Sequence, residues 1–167
     1  MNLDQFNRLQ EADATAALAQ CCGATEWLER MVFARPYESL GEVLETSDNI
    51  WAECDVDDYE EAFSQHPRIG DLEDLARKYA GTHVWIRNEQ KGVEEATPEV
   101  LEHLAAGNRA YEEKFGHIFV VNATGKSAAE MLGLLEIRLG NDPKDEIMIA
   151  AAEQNRITQV RLKKLFA

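Results

Sequence analysis

With 167 residues and 45% hydrophobic side chains, the chain can fill one hydrophobic core but not two comfortable ones, so a single domain is expected. Its 31 acidic against 17 basic side chains leave a net charge of -14, which argues against nucleic acid and against anionic membrane surfaces as partners. No apolar run approaches the length of a membrane span, and Met1-Asn2-Leu3-Asp4 lacks the basic and apolar parts of a signal peptide.

Helical periodicity dominates from the N-terminus onward. Leu3 to Leu9, Ala12 to Cys21, Thr25 to Met31, Ser39 to Thr46, Ser47 to Glu53 and Asp57 to Gln65 read as short helices, punctuated by Gly23, Pro36 and Gly41. Three cysteines, with Cys21 and Cys22 adjacent, make neither a disulfide framework nor a zinc spacing, and are read as reduced apolar fillers. Pro67 disfavours the α region for His66, so the preceding helix stops there. The imidazole then sits beside a helix C-terminus, whose partial negative charge favours imidazolium and a proton-donor role. The ordinary alternative is a hydrogen-bonded structural histidine.

Asp71 is a candidate N-cap for a helix from Leu72 to Tyr79, and Ile86 to Gly92 reads as another short helix. From Thr97 to Phe115 the apolar positions Val100, Leu101, Leu104, Tyr111 and Phe115 share one face, with Pro98 at the start and Gly116 past the end. Asn108 falls in that row and is expected to be buried and hydrogen-bonded. Ile118-Phe119-Val120-Val121 reads as one extended segment. Ser127 with Glu130 forms a capping box for a helix that turns Met131, Leu132, Leu135 and Leu139 inward before Gly140. The last helix starts at Asp142-Pro143, runs to about Phe166 and turns Ala150, Ile157, Arg161 and Leu165 inward. A guanidinium in that row must snorkel out, pair with a carboxylate or reach a ligand anion.

Several motifs fail on inspection. Gly125-Lys126-Ser127 imitates the end of a phosphate-binding loop, but the required first glycine would fall at Val120, so Ser127 is read as a helix cap. His103 lies off the apolar face of its helix and is expected in solvent, while His83 and His117 lie in connections, where surface roles are the default. His66, Asp71 and Asp74 are the nearest approach to a metal set, yet a helix cap and first-turn charge explain the carboxylates equally well, so no metal is expected. No nucleophile elbow or dinucleotide fingerprint occurs, which favours acid/base chemistry without a cofactor. Glu89 alone is by default one more surface charge.

Taken together, His66-Pro67-Arg68-Ile69-Gly70, Glu89-Gln90, Asn108 with Tyr111, Phe115-Gly116, Phe119 to Ala123, Arg138-Leu139 with Asn141-Asp142, and Arg161-Leu162 stand in an order that resembles a known family. It is that of the decarboxylases acting on 2-oxo-4-hydroxy-4-carboxy-5-ureidoimidazoline (OHCU), and Trp27 and Arg35-Pro36 extend the likeness upstream. The resemblance implies an all-α fold, usually a homodimer, and loss of carbon dioxide from OHCU to give (S)-allantoin in urate breakdown, with no metal or organic cofactor. It implies that His66 is the catalytic proton donor and Pro67 a substrate contact. Glu89 and Gln90 would hold the polar edge of the substrate, Phe119, Val120, Val121, Asn122 and Ala123 would form a hydrogen-bonding backbone wall, and Arg161 would be the substrate-holding guanidinium. At Ile86, three residues before Glu89, the family commonly has serine, so a backbone contact must suffice there.

The chemistry suits these residue types. Decarboxylation leaves an electron pair that the neighbouring carbonyl and nitrogen groups of OHCU can absorb, so orientation and a proton are what the protein must supply. Glu89, beside the departing carboxylate, would destabilise it by like charge, and a bell-shaped pH profile follows if Glu89 is ionised while His66 is protonated. The competing readings are an acidic helical module that binds a partner, and a related enzyme acting on another ureido acid. Lys164-Leu165-Phe166-Ala167 lacks a peroxisomal address, so a cytoplasmic location is expected.

Overall fold

Capping side chains fix where several helices begin in the computed structural model, which describes residues 1–67 and 97–167. Among those residues there are eight α-helices and no strand, in agreement with the all-α expectation. The helices expected over Leu72 to Tyr79 and Ile86 to Gly92 lie outside the described residues. Among the described residues no helix is long and apolar enough to cross a membrane. The chain divides into two compact units, Met1–Gln65 with Gln154–Ala167, and His66–Glu153.

The first unit holds α1 (Leu3–Asn7), α2 (Glu11–Leu18), α3 (Thr25–Phe33), α4 (Leu40–Glu53) and α5 (Val56–Ser64). Asn2 opens α1 and Asp55 opens α5, each through a capping box that pairs backbone donors otherwise left without partners. α3 packs against α2, α4 and α5, and its buried face of Trp27, Leu28, Met31 and Val32 lies at the spacing of one helical stripe. Phe6, Tyr37, Val43, Ile50, Trp51, Tyr59 and Phe63 complete this core, together with Leu162 from the C-terminal helix. Arg35 donates to the carbonyls of Phe6, Leu9 and Val32 and lies over the Phe6 ring, so it closes the turns at the ends of α1 and α3. The Arg35-Pro36 peptide is cis.

One expectation is corrected here. The two helices read over Ser39 to Thr46 and Ser47 to Glu53 are the single helix α4, with Ser39 as its N-cap. Ser47 caps nothing, because its buried hydroxyl accepts from the indole Nε1 of Trp27 at 3.3 Å. A serine committed to a tertiary partner leaves the backbone free to continue as helix.

The second unit holds α6 (Pro98–Phe115), α7 (Ala128–Arg138) and the first half of α8 (Pro143–Leu165), whose remainder, from Gln154, belongs to the first. Thr97 caps α6, Pro98 fills its first turn and Gly116 ends it at φ 81°. That left-handed angle suits glycine. Ser127 and Glu130 form the expected capping box of α7. α6 and α7 pack on each other through Leu104, Tyr111, Met131 and Leu135, with Val100, Leu101, Phe115, Leu132 and Leu139 partly buried around them. Asn108 is buried and His103 exposed, as expected.

Candidate active site

His66 is the first residue past the C-cap of α5, where Gln65 directs its N–H to the carbonyls of Ala62 and Phe63. The imidazole is half-buried and the following Pro67 is buried. Thus the helix does stop where the proline requires, and His66 follows its C-cap in the chain as expected. Ile86, Glu89 and Gln90 lie outside the described residues, as do His83, Asp71 and Asp74.

Phe119 to Ala123 leave α6 through His117 and run toward α7 without joining a helix. Their backbone hydrogen bonds engage Val120, Asn122 and Ala123, the Ala123 carbonyl accepting from the Lys126 N–H at 3.1 Å. The Val120 carbonyl accepts from Arg138 Nη1 at 2.6 Å, the Asn122 N–H donates to Glu153 Oε2 at 2.7 Å, and the Asn122 carbonyl accepts from Lys126 Nζ at 2.8 Å. Among the described residues, no hydrogen bond engages the backbone of Phe119 or Val121. These two are 2% and 6% exposed, and polar backbone held so far from water calls for a polar partner. Backbone that offers both amide donors and carbonyl acceptors matches a ligand that carries both N–H and C=O groups.

Behind this segment lies a polar network that sequence reading missed. Glu146, in the first turn of α8, is fully buried and accepts from Arg138 Nε at 2.7 Å, from Asn141 Nδ2 at 2.7 Å and from the Tyr111 hydroxyl. Arg138 Nη2 lies 2.6 Å from the same carboxylate and donates to the Tyr111 oxygen at 3.2 Å, while its guanidinium carbon sits 4.7 Å from the centre of the Phe119 ring. Burial and the bond to Glu146 push the Tyr111 hydroxyl well above its usual range, with Arg138 opposing. His117, expected at the surface, is instead buried: its Nδ1 lies 3.0 Å from the Ile118 carbonyl and its ring meets Tyr111 edge-on. The aromatic cluster of Tyr111, Phe115 and Phe119 takes the imidazole out of water. The signal available in the sequence was the joint spacing of Tyr111, Arg138 and Asn141.

Ala150, Ile157 and Leu165 of α8 are buried, as expected. Arg161 belongs to the first unit. It is only 7% exposed, so its charge does not snorkel into solvent. Its charge acts on the Cys22 thiol, which burial pushes up to about 11 against the pull of the Ala24 backbone, Thr158 and Arg161. Cys21, Cys22 and Cys54 are buried thiols, none of them in a disulfide. Among the described residues no group of histidine, cysteine or carboxylate side chains is arranged to hold a metal ion.

A family model described as OHCU decarboxylase matches residues 7–163. The uric acid degradation bifunctional protein TTL of Arabidopsis thaliana is 36% identical over 154 residues, covering 88% of this chain and 45% of that protein. The uric acid degradation bifunctional protein of Bacillus sp. (strain TB-90) is 27% identical over 173 residues, covering 99% of this chain and 32% of that protein. The chain therefore spans less than half the length of these two curated relatives. A crystal structure of an OHCU decarboxylase in the presence of (S)-allantoin matches with a TM-score of 0.77 and 35% identity, over 89% of this chain and 95% of that one. A crystal structure of (S)-allantoin synthase matches with a TM-score of 0.70 over 99% of this chain and 54% of that one, and at 16% identity it shares the fold.

Proposed function

Since this chain belongs to the OHCU decarboxylase family, we propose that it converts OHCU to (S)-allantoin and carbon dioxide without a cofactor, in the breakdown of urate. The observation that carries the reading is the likeness, over most of both chains, to the decarboxylase crystallised in the presence of (S)-allantoin. The backbone of Phe119 and Val121, which no hydrogen bond engages among the described residues, supports it, because a ureido and imidazoline substrate offers alternating N–H and C=O groups to such a segment.

In the reaction, the bond from the ring carbon to its carboxylate breaks and carbon dioxide departs. The electron pair left behind passes into the adjacent unsaturated ring atoms, and the ring hydroxyl becomes a carbonyl as the neighbouring carbon, which bears the ureido group, takes a proton. His66 supplies that proton from one face and so sets the S configuration. Glu89 orients the hydroxyl and raises the energy of the nearby carboxylate. Gln90 and Arg161 hold the ureido and ring groups, Pro67 and the Ile86 backbone line the substrate, and Phe119, Val120, Val121, Asn122 and Ala123 hydrogen-bond it along one edge.

Residues 1–167 act in this reading as a single functional domain, which works as a homodimer in the cytoplasm and uses neither nucleic acid nor membrane. Light scattering of the purified chain checks the dimer, with a monomer mass as the contrary result. The test of function is circular dichroism on OHCU freshly made from urate by urate oxidase and hydroxyisourate hydrolase. Fast appearance of the (S)-allantoin signal on adding the protein is expected. Unchanged slow decay to racemic product overturns the reading and points to another ureido acid.

A further inference from the structure

The hydrogen bonds along Ile118 to Asn122 pick out even-numbered residues: the carbonyls of Ile118 and Val120 and both backbone groups of Asn122. In an extended chain the N–H and C=O of one residue point to one edge and those of the next residue to the other. The fastened groups are those of Ile118, Val120 and Asn122, and among the described residues the Phe119 and Val121 backbone between them carries no hydrogen bond. Which edge is fastened decides what the segment can offer a ligand. A flip of the Val120 carbonyl would turn its neighbours with it.

The fastening at Val120 is unusual in kind. Water or any neutral donor could satisfy one carbonyl, yet a guanidinium 6% exposed does so, held by a carboxylate that is 0% exposed. Buried ion pairs contribute little net stability compared with apolar side chains of the same size, so stability alone is a poor account of this one. Geometry is a better account. A guanidinium is planar with its donors in a fixed fork, and here Nε and Nη2 are both taken by Glu146. With two corners fixed, the direction of Nη1 is fixed as well, and so is the carbonyl it carries. Glu146 is itself fixed by Asn141 and Tyr111, and the Phe119 ring lies against the guanidinium face.

We propose that Arg138 is a positioning residue for substrate: clamped on Glu146, it holds the Val120 carbonyl so that the Phe119 and Val121 backbone stays turned toward the ureido and ring amides. The proposal rests on the decarboxylase reading. It assigns a purpose to Tyr111, Arg138 and Asn141, three residues of the family's pattern that the reaction itself does not use.

The test compares the wild-type chain with R138K and with the double variant R138M/E146L. Each is measured for KM and kcat on OHCU, for the Kd of (S)-allantoin by calorimetry, and for thermal unfolding. Lysine keeps the charge but has no fork, so a folded R138K is expected to raise both KM and the allantoin Kd about tenfold while kcat falls less than about threefold. The double variant replaces both charges by apolar volume, and the same rise is expected there. A merely structural role would lower the melting temperature and leave KM and Kd unchanged. Wild-type KM and Kd in either folded variant overturn the proposal, and R138M/E146L decides the matter if R138K does not fold. If the wild type itself neither turns over OHCU nor binds (S)-allantoin, the decarboxylase reading fails first and this one falls with it.

Discussion

Arg138 and Glu146 are eight residues apart in the chain and form a buried ion pair, with Nη2 2.6 Å from Oε1 and the Glu146 side chain wholly out of water. Removing one partner leaves the other charge buried and alone, which costs far more than the pair contributes. E146A is therefore expected to lose about 3–5 kcal/mol of stability, whereas R138M/E146L should stay near the wild type. Urea unfolding of both variants checks this, and an E146A midpoint equal to the wild type would show the carboxylate to be dispensable.

That pair also marks the limit of what the sequence makes legible. Thr97-Pro98, Gly116, and Ser127 with Glu130 announce the ends of α6 and α7 because capping is a local event, written within one helical turn. The buried row of α8, Arg161 included, follows from periodicity alone. Glu146 does not. In a chain of net charge -14, one more glutamate in a first turn looks solvated, and only the fold brings Tyr111, 35 residues earlier, onto its carboxylate. His117 was hidden for the same reason, since its burial comes from aromatic rings placed by tertiary packing. Of the proposed site residues, His66 was legible through Pro67, whereas Glu89 and Gln90 were legible through resemblance and lie outside the described residues.

Ser47 was misread as a helix start because its role is tertiary, and this gives a second expectation. S47A removes the acceptor for the Trp27 indole N–H, which is fully buried on α3. Leaving that donor without a partner costs about 1–3 kcal/mol, against a gain of about 0.5 kcal/mol from the better helix propensity of alanine. A net loss of about 1 kcal/mol or more is expected. Thermal unfolding and the tryptophan emission maximum report it, and unchanged stability would mean that water replaces the hydroxyl.

Gly107 sits in the middle of α6, where alanine would ordinarily stabilise the helix by about 1 kcal/mol. Here a Cβ would stand 2.6 Å from Leu135 Cδ2 and 3.3 Å from its Cγ, and Leu135 is fully buried between α6 and α7. Overpacking of this kind costs about 1–3 kcal/mol, so steric crowding outweighs propensity and G107A should be destabilised. The companion variant G107A/L135V, which clears the space, should recover part of the loss. Denaturation midpoints decide between the two effects.

Alkaline stability is set in part by the thiols. Cys22 is buried, and its pKa is pushed from an ordinary 9.0 to about 11 chiefly by burial; Cys54 is pushed up to about 12 in the same way. Each group keeps its proton longer in the folded state than in the unfolded one. The stabilisation is therefore complete below about pH 9 and is lost as pH rises toward and through about 11 for Cys22. Two units correspond to about 3 kcal/mol at full deprotonation. The hydroxyls of Tyr37 and Tyr111, also raised by burial, add to the decline only above about pH 10. Urea unfolding under reducing conditions from pH 7 to 11 should show a flat region and then a fall, shallower in C22A. An equally steep fall in C22A would remove Cys22 from the account.

Substituting His66 tests the step that creates the stereocentre. Asparagine keeps a polar side chain after the C-cap of α5 but carries no transferable proton. Loss of a positioned general acid lowers rates by about a hundredfold to ten-thousandfold, so H66N should bring the reaction close to the spontaneous decay of OHCU. Rate alone would leave open whether the variant had lost binding instead. Affinity separates the cases, because spontaneous decay is itself racemic, whereas a site that has lost only its donor still binds (S)-allantoin and leaves the intermediate to be protonated by water from either face. The expected product of H66N is therefore racemic allantoin, at a (S)-allantoin Kd within about threefold of the wild type, since ground-state binding does not use the proton. Full rate with (S) product would take the donor role away from His66 and assign the proton to another group.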